Sequence, residues 1–444
     1  MSYFKPISIS LSPNVEKDDV KLALNLIIRP WLWRNGKAVK EIEDNFRKYL
    51  GVKYAFSFNS GRSAFFAILK ALDFPTESEV LLQAFTCNAV PNPILWAEFQ
   101  PIYVDCSKED FNIDIEDLKK KISENPDAKA VVVQNTFGLP CNMDEINLIV
   151  RQSGLILIED CAHSLGAEFL PITNFEINSE KKDNLDKNSK LVMGEAKKVG
   201  TFGKASFFSF SRDKIISSVY GGMATTNDDQ LGEALRHAQA EFGMPNSFWI
   251  FQQLLHPILL NYIILPIYDF LDLGKIFLVL AQVLHILSKA VSWKEKRGQR
   301  PDYFPKALPN AQATMALNQF NKLEKFNSHR QKIADYYYEN LKDTKFELPK
   351  QFPNRKNVFL RFTVKHKDAH DIIYKAWHKQ NILLGDWYTT PIAPFDTKIE
   401  EIKYKSGSCI NAERLAKITL NLPTHINISQ KDAERIVNFL KKYK

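Results

Sequence analysis

Between Val80 and Thr226 the apolar positions fall in short unbroken runs: VLL at 80–82, PIYVD at 101–105, AVVVQ at 130–134, LILIED at 155–160, ASFFSF at 205–210 and GGMATT at 221–226. Continuous β-branched or aromatic runs separated by helical stretches predict a largely parallel sheet covered on both faces. Chemistry in such a sheet gathers at the C-terminal ends of its strands. From about residue 320 the pattern changes to a long amphipathic helix, FNKLEKFNSHRQKIADYYYENL, followed by extended segments such as VFLRFTV at 358–364. A second, smaller α/β domain is expected there.

Two stretches break the pattern. Residues 171–198 are rich in Lys, Asn and Asp without apolar periodicity, which predicts a surface insertion. Residues 248–291 are the reverse, with Asp269, Asp272, Lys275 and Lys289 the only charges among 44 positions. A buried helical pair, a dimer-interface element and a helix lying in a lipid interface all fit that composition. Spanning fits less well, because Pro257 and Pro266 interrupt the first half and 276–288 is too short to return. In the second half Lys275, Gln282, His285 and Lys289 recur near helical spacing and leave a wide apolar face, with Trp249, Trp293 and a basic 294–300 segment at its ends. A monotopic contact with the membrane through 248–291 is therefore expected. The organisation read from these patterns is a large domain over 1–240, a hydrophobic helical insertion over 241–300, and a small domain with its connecting helix over 301–444.

Composition narrows the function classes. With 45% hydrophobic and 25% charged residues, the 444-residue chain fits neither disorder nor a multi-span membrane protein. Its net charge of +8 is dispersed rather than collected into an arm, so nucleic acid is not expected as a partner. Cys87, Cys106, Cys141, Cys161 and Cys409 are odd in number and widely spaced, which fits neither a disulfide framework nor a metal site. The start, MSYFKPISISLSPN, has no apolar signal core, and a cytoplasmic location, peripheral on the membrane face, is expected.

Three candidate positions carry a common chemistry. A cofactor with an aldehyde, a ring nitrogen and a phosphate needs a lysine amine, a carboxylate and an anion cradle at a helix start. Lys214 follows the strand ASFFSF on a turn. Asp160 ends the apolar run LILIED, where a buried charge must be paired or functional. Asn59-Ser60-Gly61-Arg62-Ser63 leads into the helix AFFAILKAL, whose free N–H groups suit a phosphate, and Ser209 offers a further hydroxyl.

Together these positions resemble the DegT/DnrJ/EryC1/StrS family of sugar aminotransferases. The resemblance runs from WLWRNGKAVKEIEDNFRKYLGVKYAFSFNSGRSAF through PIYVDCS, IEDCAHSLGAEF and VGTFGKASFFSFSRDK to CINAERLAKITLNLP. It implies the fold-type-I aminotransferase architecture: an α/β fold with a mostly parallel, mixed seven-stranded sheet and a smaller C-terminal α/β domain. It also implies pyridoxal 5′-phosphate held as a Schiff base on Lys214, with Asp160 at the ring nitrogen. Ala162 is expected against one ring face, Phe85 against the other, and His163 at the ring hydroxyl. Ser60, Gly61, Arg62, Ser63 and Ser209 are expected around the phosphate, with Arg62 replacing the family's usual Thr by a cation. The implied activity is transfer of an amino group from an amino acid, glutamate, to a keto-sugar on a nucleotide or lipid carrier, by a homodimer. The alternatives are a sugar dehydratase of the same family, in which the lysine position is typically His, and a non-catalytic paralogue that regulates or scaffolds a pathway. Lys214 and Asp160 argue against both.

Overall fold

The computed structural model describes residues 5–172 and 193–443. Its centre is a seven-stranded sheet built from β1 (Tyr54–Phe58), β2 (Glu79–Gln83), β3 (Gln100–Val104), β4 (Ala130–Gln134), β5 (Ile156–Asp160), β6 (Ala205–Ser209) and β7 (Gly222–Thr226). The spatial order is β1-β7-β6-β5-β4-β2-β3, and only β7 runs antiparallel to its neighbours. Helices cover both faces, so all five residues of β4 and all five of β7 are buried. That two-sided burial is why the sequence shows runs in place of alternation.

The helices that shape the site are α1 (Lys17–Ile27), α2 (Gly61–Ala71), α3 (Ser247–Leu259), α4 (Leu273–Val283), α5 (Asn310–Phe320), α6 (Leu323–Leu341) and α7 (Ala369–Gln380). Helix α2 lies over β6 and β7, with Phe65 stacked on Phe207 at 4.6 Å between centroids. Register places Phe207 beside Asp160 and Gly222 beside Phe58, so the ends of β1, β5 and β6 and the start of β7 converge on one edge.

The small domain pairs β8 (Phe362–Lys365) with β9 (Thr419–Leu422) under α6 and α7. Its limits differ from the expected 301–444. Ile7–Ser8 pairs in parallel with Ile382–Leu383, which draws the N-terminus into the small domain. Conversely Leu308 and the α5 residues Ala313 and Ala316 are buried with Ile42, Phe46 and Phe208 in the core of the large domain. Alanine on the buried face of α5 lets it sit close to the Ala38–Leu50 helix, and the hand-over between domains falls near α6.

Of the polar segment 171–198, residues 173–192 lie outside the described residues. Its ends come together: Glu168–Phe169 pairs antiparallel with Lys197–Lys198, and Ile172 bridges Met193. The apolar segment divides in two. Trp249, Ile250 and Leu254 of α3 are buried with Ala23, Leu26, Tyr220, Phe304 and Met315. Among the described residues one helical run, Ser247–Ile267, is long and apolar enough to cross a membrane, and half of it is buried inside the protein. Past it, α4 returns toward the body, where Gln252 donates to the His285 carbonyl and Ser288 Oγ to Gln253.

Candidate active site

A cavity of about 470 Å³ opens where the strand ends converge, lined by Ser60, Gly61, Arg62, Asp160, Ala162, His163, Ser209 and Lys214 among others. Eight of the ten expected site residues are thus brought together from three separate stretches of chain.

Lys214 sits five residues beyond β6 on a turn braced from behind. Asn14 Nδ2 donates to the Lys214 and Ile215 carbonyls, and Arg330, with no exposed surface, donates to the Ile215 carbonyl at 3.1 Å and to Asn14 Oδ1 at 2.8 Å. The amine lies 4.7 Å from the centre of the Trp387 ring. Burial pulls its pKa down to about 8, against the opposing pull of negative groups including Asp160.

Asp160, the last residue of β5, is buried and accepts the Ala162 N–H on Oδ1 at 2.9 Å. Loss of hydration pushes its carboxyl up to about 6; the Ala162 N–H and the charge of Lys214 limit the rise. His163 Nδ1 accepts the Phe137 N–H at 3.3 Å, which leaves the proton on Nε2 as a donor. Burial holds the ring well below its ordinary pKa and so neutral. It stacks on Trp387 at 5.3 Å.

The start of α2 forms the cradle. Ser60 Oγ caps the Ser63 N–H at 3.0 Å, and the first two N–H groups of the helix, from Gly61 and Arg62, have no intrahelical partner. Glycine at 61 suits the close approach of this turn to β6, since a Cβ there would meet Ser209 Cβ at 3.0 Å. Close by, Arg212 bonds the Ser288 carbonyl and hydroxyl through one nitrogen, each at 2.7 Å, while its buried Nε has no partner. Two free N–H groups, a serine hydroxyl and an orphaned guanidinium donor suit a phosphate. Asp160 at a strand end suits a protonated ring nitrogen, and Lys214 suits an aldehyde carbon. The residues present therefore fit pyridoxal phosphate.

Three expectations are corrected. Phe85 does not line the cavity: its backbone takes a positive φ of 63° and its ring packs among Phe111, Phe137 and Tyr388. Thr86 and Cys87 occupy that wall instead. Ser63 is fully buried and its hydroxyl donates to Asn59 Oδ1 at 2.7 Å, so it is consumed in shaping the turn. Arg62 reaches the cavity, but its guanidinium is not a free cation. It pairs with the buried Glu295 and lies 4.6 Å from the Phe304 ring centre.

Several lining residues had no local signal. Trp387 and Tyr388 come from the small domain, and Gln282, Lys289, Ala290 and Lys296 come from the apolar insertion and the segment after it. Arg361, 3.4 Å over Trp387 and 3.9 Å from Asp213, supports that wall from outside the cavity. All five cysteines are free, as expected of unpaired thiols.

A model of the DegT/DnrJ/EryC1/StrS aminotransferase family matches residues 14–255 and 284–441. The chain is 24% identical to GDP-perosamine synthase of Caulobacter vibrioides over 98% of both chains. It is 25% identical to a dTDP-3-amino-3,6-dideoxy-alpha-D-galactopyranose transaminase of Aneurinibacillus thermoaerophilus, covering 96% of this chain and 95% of that one. In fold it is similar to Helicobacter pylori PseC, an aminotransferase involved in the biosynthesis of pseudoaminic acid, with a TM-score of 0.71 at 21% identity over 99% of each chain.

Proposed function

The chain belongs to the DegT/DnrJ/EryC1/StrS aminotransferase family, whose members are pyridoxal-phosphate-dependent sugar aminotransferases, and on that premise we propose that it transfers an amino group from glutamate to a keto-sugar carried on a nucleotide or a lipid. The relatives that make perosamine and aminated dideoxygalactose as nucleotide sugars support a place in cell-surface polysaccharide or glycoconjugate synthesis. The observation that carries the reading is the meeting of Lys214, Asp160 and the start of α2 in one cavity.

When bound, the cofactor supplies a carbon that accepts the amino group and a ring that draws off the electrons of the broken C–H bond. The residues hold it and move the protons. The Gly61 and Arg62 N–H groups, Ser209 and Arg212 take the phosphate. Asp160, ionised above about pH 6, keeps a proton on the ring nitrogen by charge. Neutral His163 donates from Nε2 to the ring hydroxyl. Lys214 would anchor the cofactor at rest, and its amine, once free, is the base placed to take and hand on the proton of the donor α-carbon. A pKa near 8 keeps a useful fraction neutral for that work. The two half-reactions then run in opposite directions on the same residues.

The test is mass spectrometry of nitrogen transfer from ¹⁵N-glutamate to a panel of keto-sugars on nucleotide and polyprenyl carriers. Label in one aminated sugar supports the reading. Conversion without label, or loss of water in its place, sinks it. A homodimer in the cytoplasm is part of the proposal, and sedimentation at micromolar concentration tests the stoichiometry.

A further inference from the structure

The family match skips residues 256–283, and the part it skips ends in a helix with an unusual surface. Helix α4 touches the body through a narrow line. Gly274 and Ala281 are buried, and a Cβ at Gly274 would come within 2.5 Å of the Ile264 carbonyl oxygen, so the contact depends on small residues. On the opposite side Ile276, Phe277, Val279, Leu280, Val283 and Leu284 are exposed, Val283 and Leu284 by 62% and 66%. At 100° per residue these positions sweep about half of the helix circumference. Isolated exposed apolar residues need no explanation, but a contiguous half-cylinder of them does.

The ends of this face carry a second pattern. Asp269 and Asp272, the acids of the segment, share the single cation Lys275 at 2.8 and 2.7 Å, which offsets one of their two charges. Lys275 also lies 5.7 Å from the ring centre of the exposed Trp377 on α7. Beyond the other end, the exposed Trp293 carries the Arg297 guanidinium at 3.9 Å, between the exposed Lys289 and Lys294. Asp302, paired to Lys294, is the acid facing that group. An apolar face bracketed by tryptophan with cations is complementary to a water–lipid boundary with anionic headgroups. The same helix supplies Gln282 to the cavity wall, so the face and the site are joined through one element.

We propose that the outer face of α4 is a monotopic docking surface for an anionic bilayer, with its apolar side chains among the acyl chains and Trp293, Arg297, Lys289 and Lys294 at headgroup depth. The exposed residues contribute little to the folded interior, so they are replaceable without loss of the fold. The test is flotation of the full chain with vesicles of about seven parts phosphatidylcholine to three of phosphatidylglycerol. Wild type is expected to rise with the vesicles, less so with pure phosphatidylcholine or in high salt. The variant Phe277→Glu/Leu280→Glu/Leu284→Glu is expected to partition at least about tenfold less while keeping its circular dichroism and melting temperature. If that triple variant does not fold, the milder Val279→Ser/Val283→Ser serves, with a smaller drop in the same direction. Wild type left at the bottom of the gradient overturns the proposal, as does a folded variant that floats equally well. A wild-type dimer that ignores vesicles and dissociates on the same substitutions also overturns it and assigns the face to a second copy. Flotation reads no catalysis, so its outcome is independent of the aminotransfer reading.

Discussion

Replacing Asp160 by Asn should make the apo-protein more stable and the enzyme nearly inert, and the two effects have one origin. The carboxyl is buried and its pKa is raised from 3.8 to about 6, chiefly by desolvation. A rise of roughly two units corresponds to about 3 kcal/mol of unfavourable ionisation in the folded apo-protein, at 1.36 kcal/mol per unit. Because the folded pKa lies above the unfolded one, wild type holds this stability below about pH 4 and loses it as pH climbs to 6. Asparagine keeps the acceptor for the Ala162 N–H and carries no charge. The melting temperature of the apo-variant should therefore match wild type in acid and exceed it by several degrees above pH 6. Turnover should fall by at least about a hundredfold at every pH, because an amide cannot hold the ring nitrogen protonated by charge. Thermal melts of both apo-proteins across pH 4.5–8, beside single-turnover amine transfer, check this. A variant less stable than wild type at pH 7, or a stability difference that does not change with pH, would refute the desolvation argument. Near-normal turnover would refute the role at the ring.

Borohydride reduction of the holoenzyme should fix the cofactor on the peptide containing Lys214, and Lys214→Ala should leave no covalent label and no absorbance near ~410–430 nm; label on another lysine removes the assignment. Covalent loading of the apo-enzyme should accelerate as pH rises through about 8, where burial places the Lys214 amine, and a rate flat from pH 6 to 9 counts against that environment. Arg62→Met should destabilise by about 3–5 kcal/mol because it strands buried Glu295, and the added Glu295→Gln should recover much of the loss; additive effects in denaturant titrations would show that the pair does not interact.

How far the site was legible depended on the range of the interaction that forms each part. Asp160 could be read because it closes an apolar run, and Lys214 because it stands on the turn just after one, so both are visible in one dimension. The start of α2 was legible for the same local reason. Phe85 was expected at the ring only through the family resemblance; two residues past the end of β2 a positive φ turns the chain, and Thr86 and Cys87 line the cavity in its place. Ser63 and Arg62 misled differently: their types were right for an anion, but the groups that claim them are Asn59, four residues back, and Glu295, more than two hundred residues on. Trp387, Tyr388 and Arg361 carry no local signal because the small domain supplies them only after folding.

The insertion shows how periodicity and composition divide the work. Both halves of 248–291 are apolar, and composition alone treats them as one element. The difference lies in what the neighbours offer. Helix α3 finds α1, α5, Tyr220 and Phe304 to bury it, whereas α4 rests on the small-residue line of Gly274 and Ala281 and leaves its larger side chains outside. Had α4 been selected for the core, leucine or isoleucine would be expected on the buried line and polar residues on the exposed one. The observed order is inverted, and an inverted helix joined to a catalytic cavity is what a fold needs if it is to keep its site at a surface that is not water.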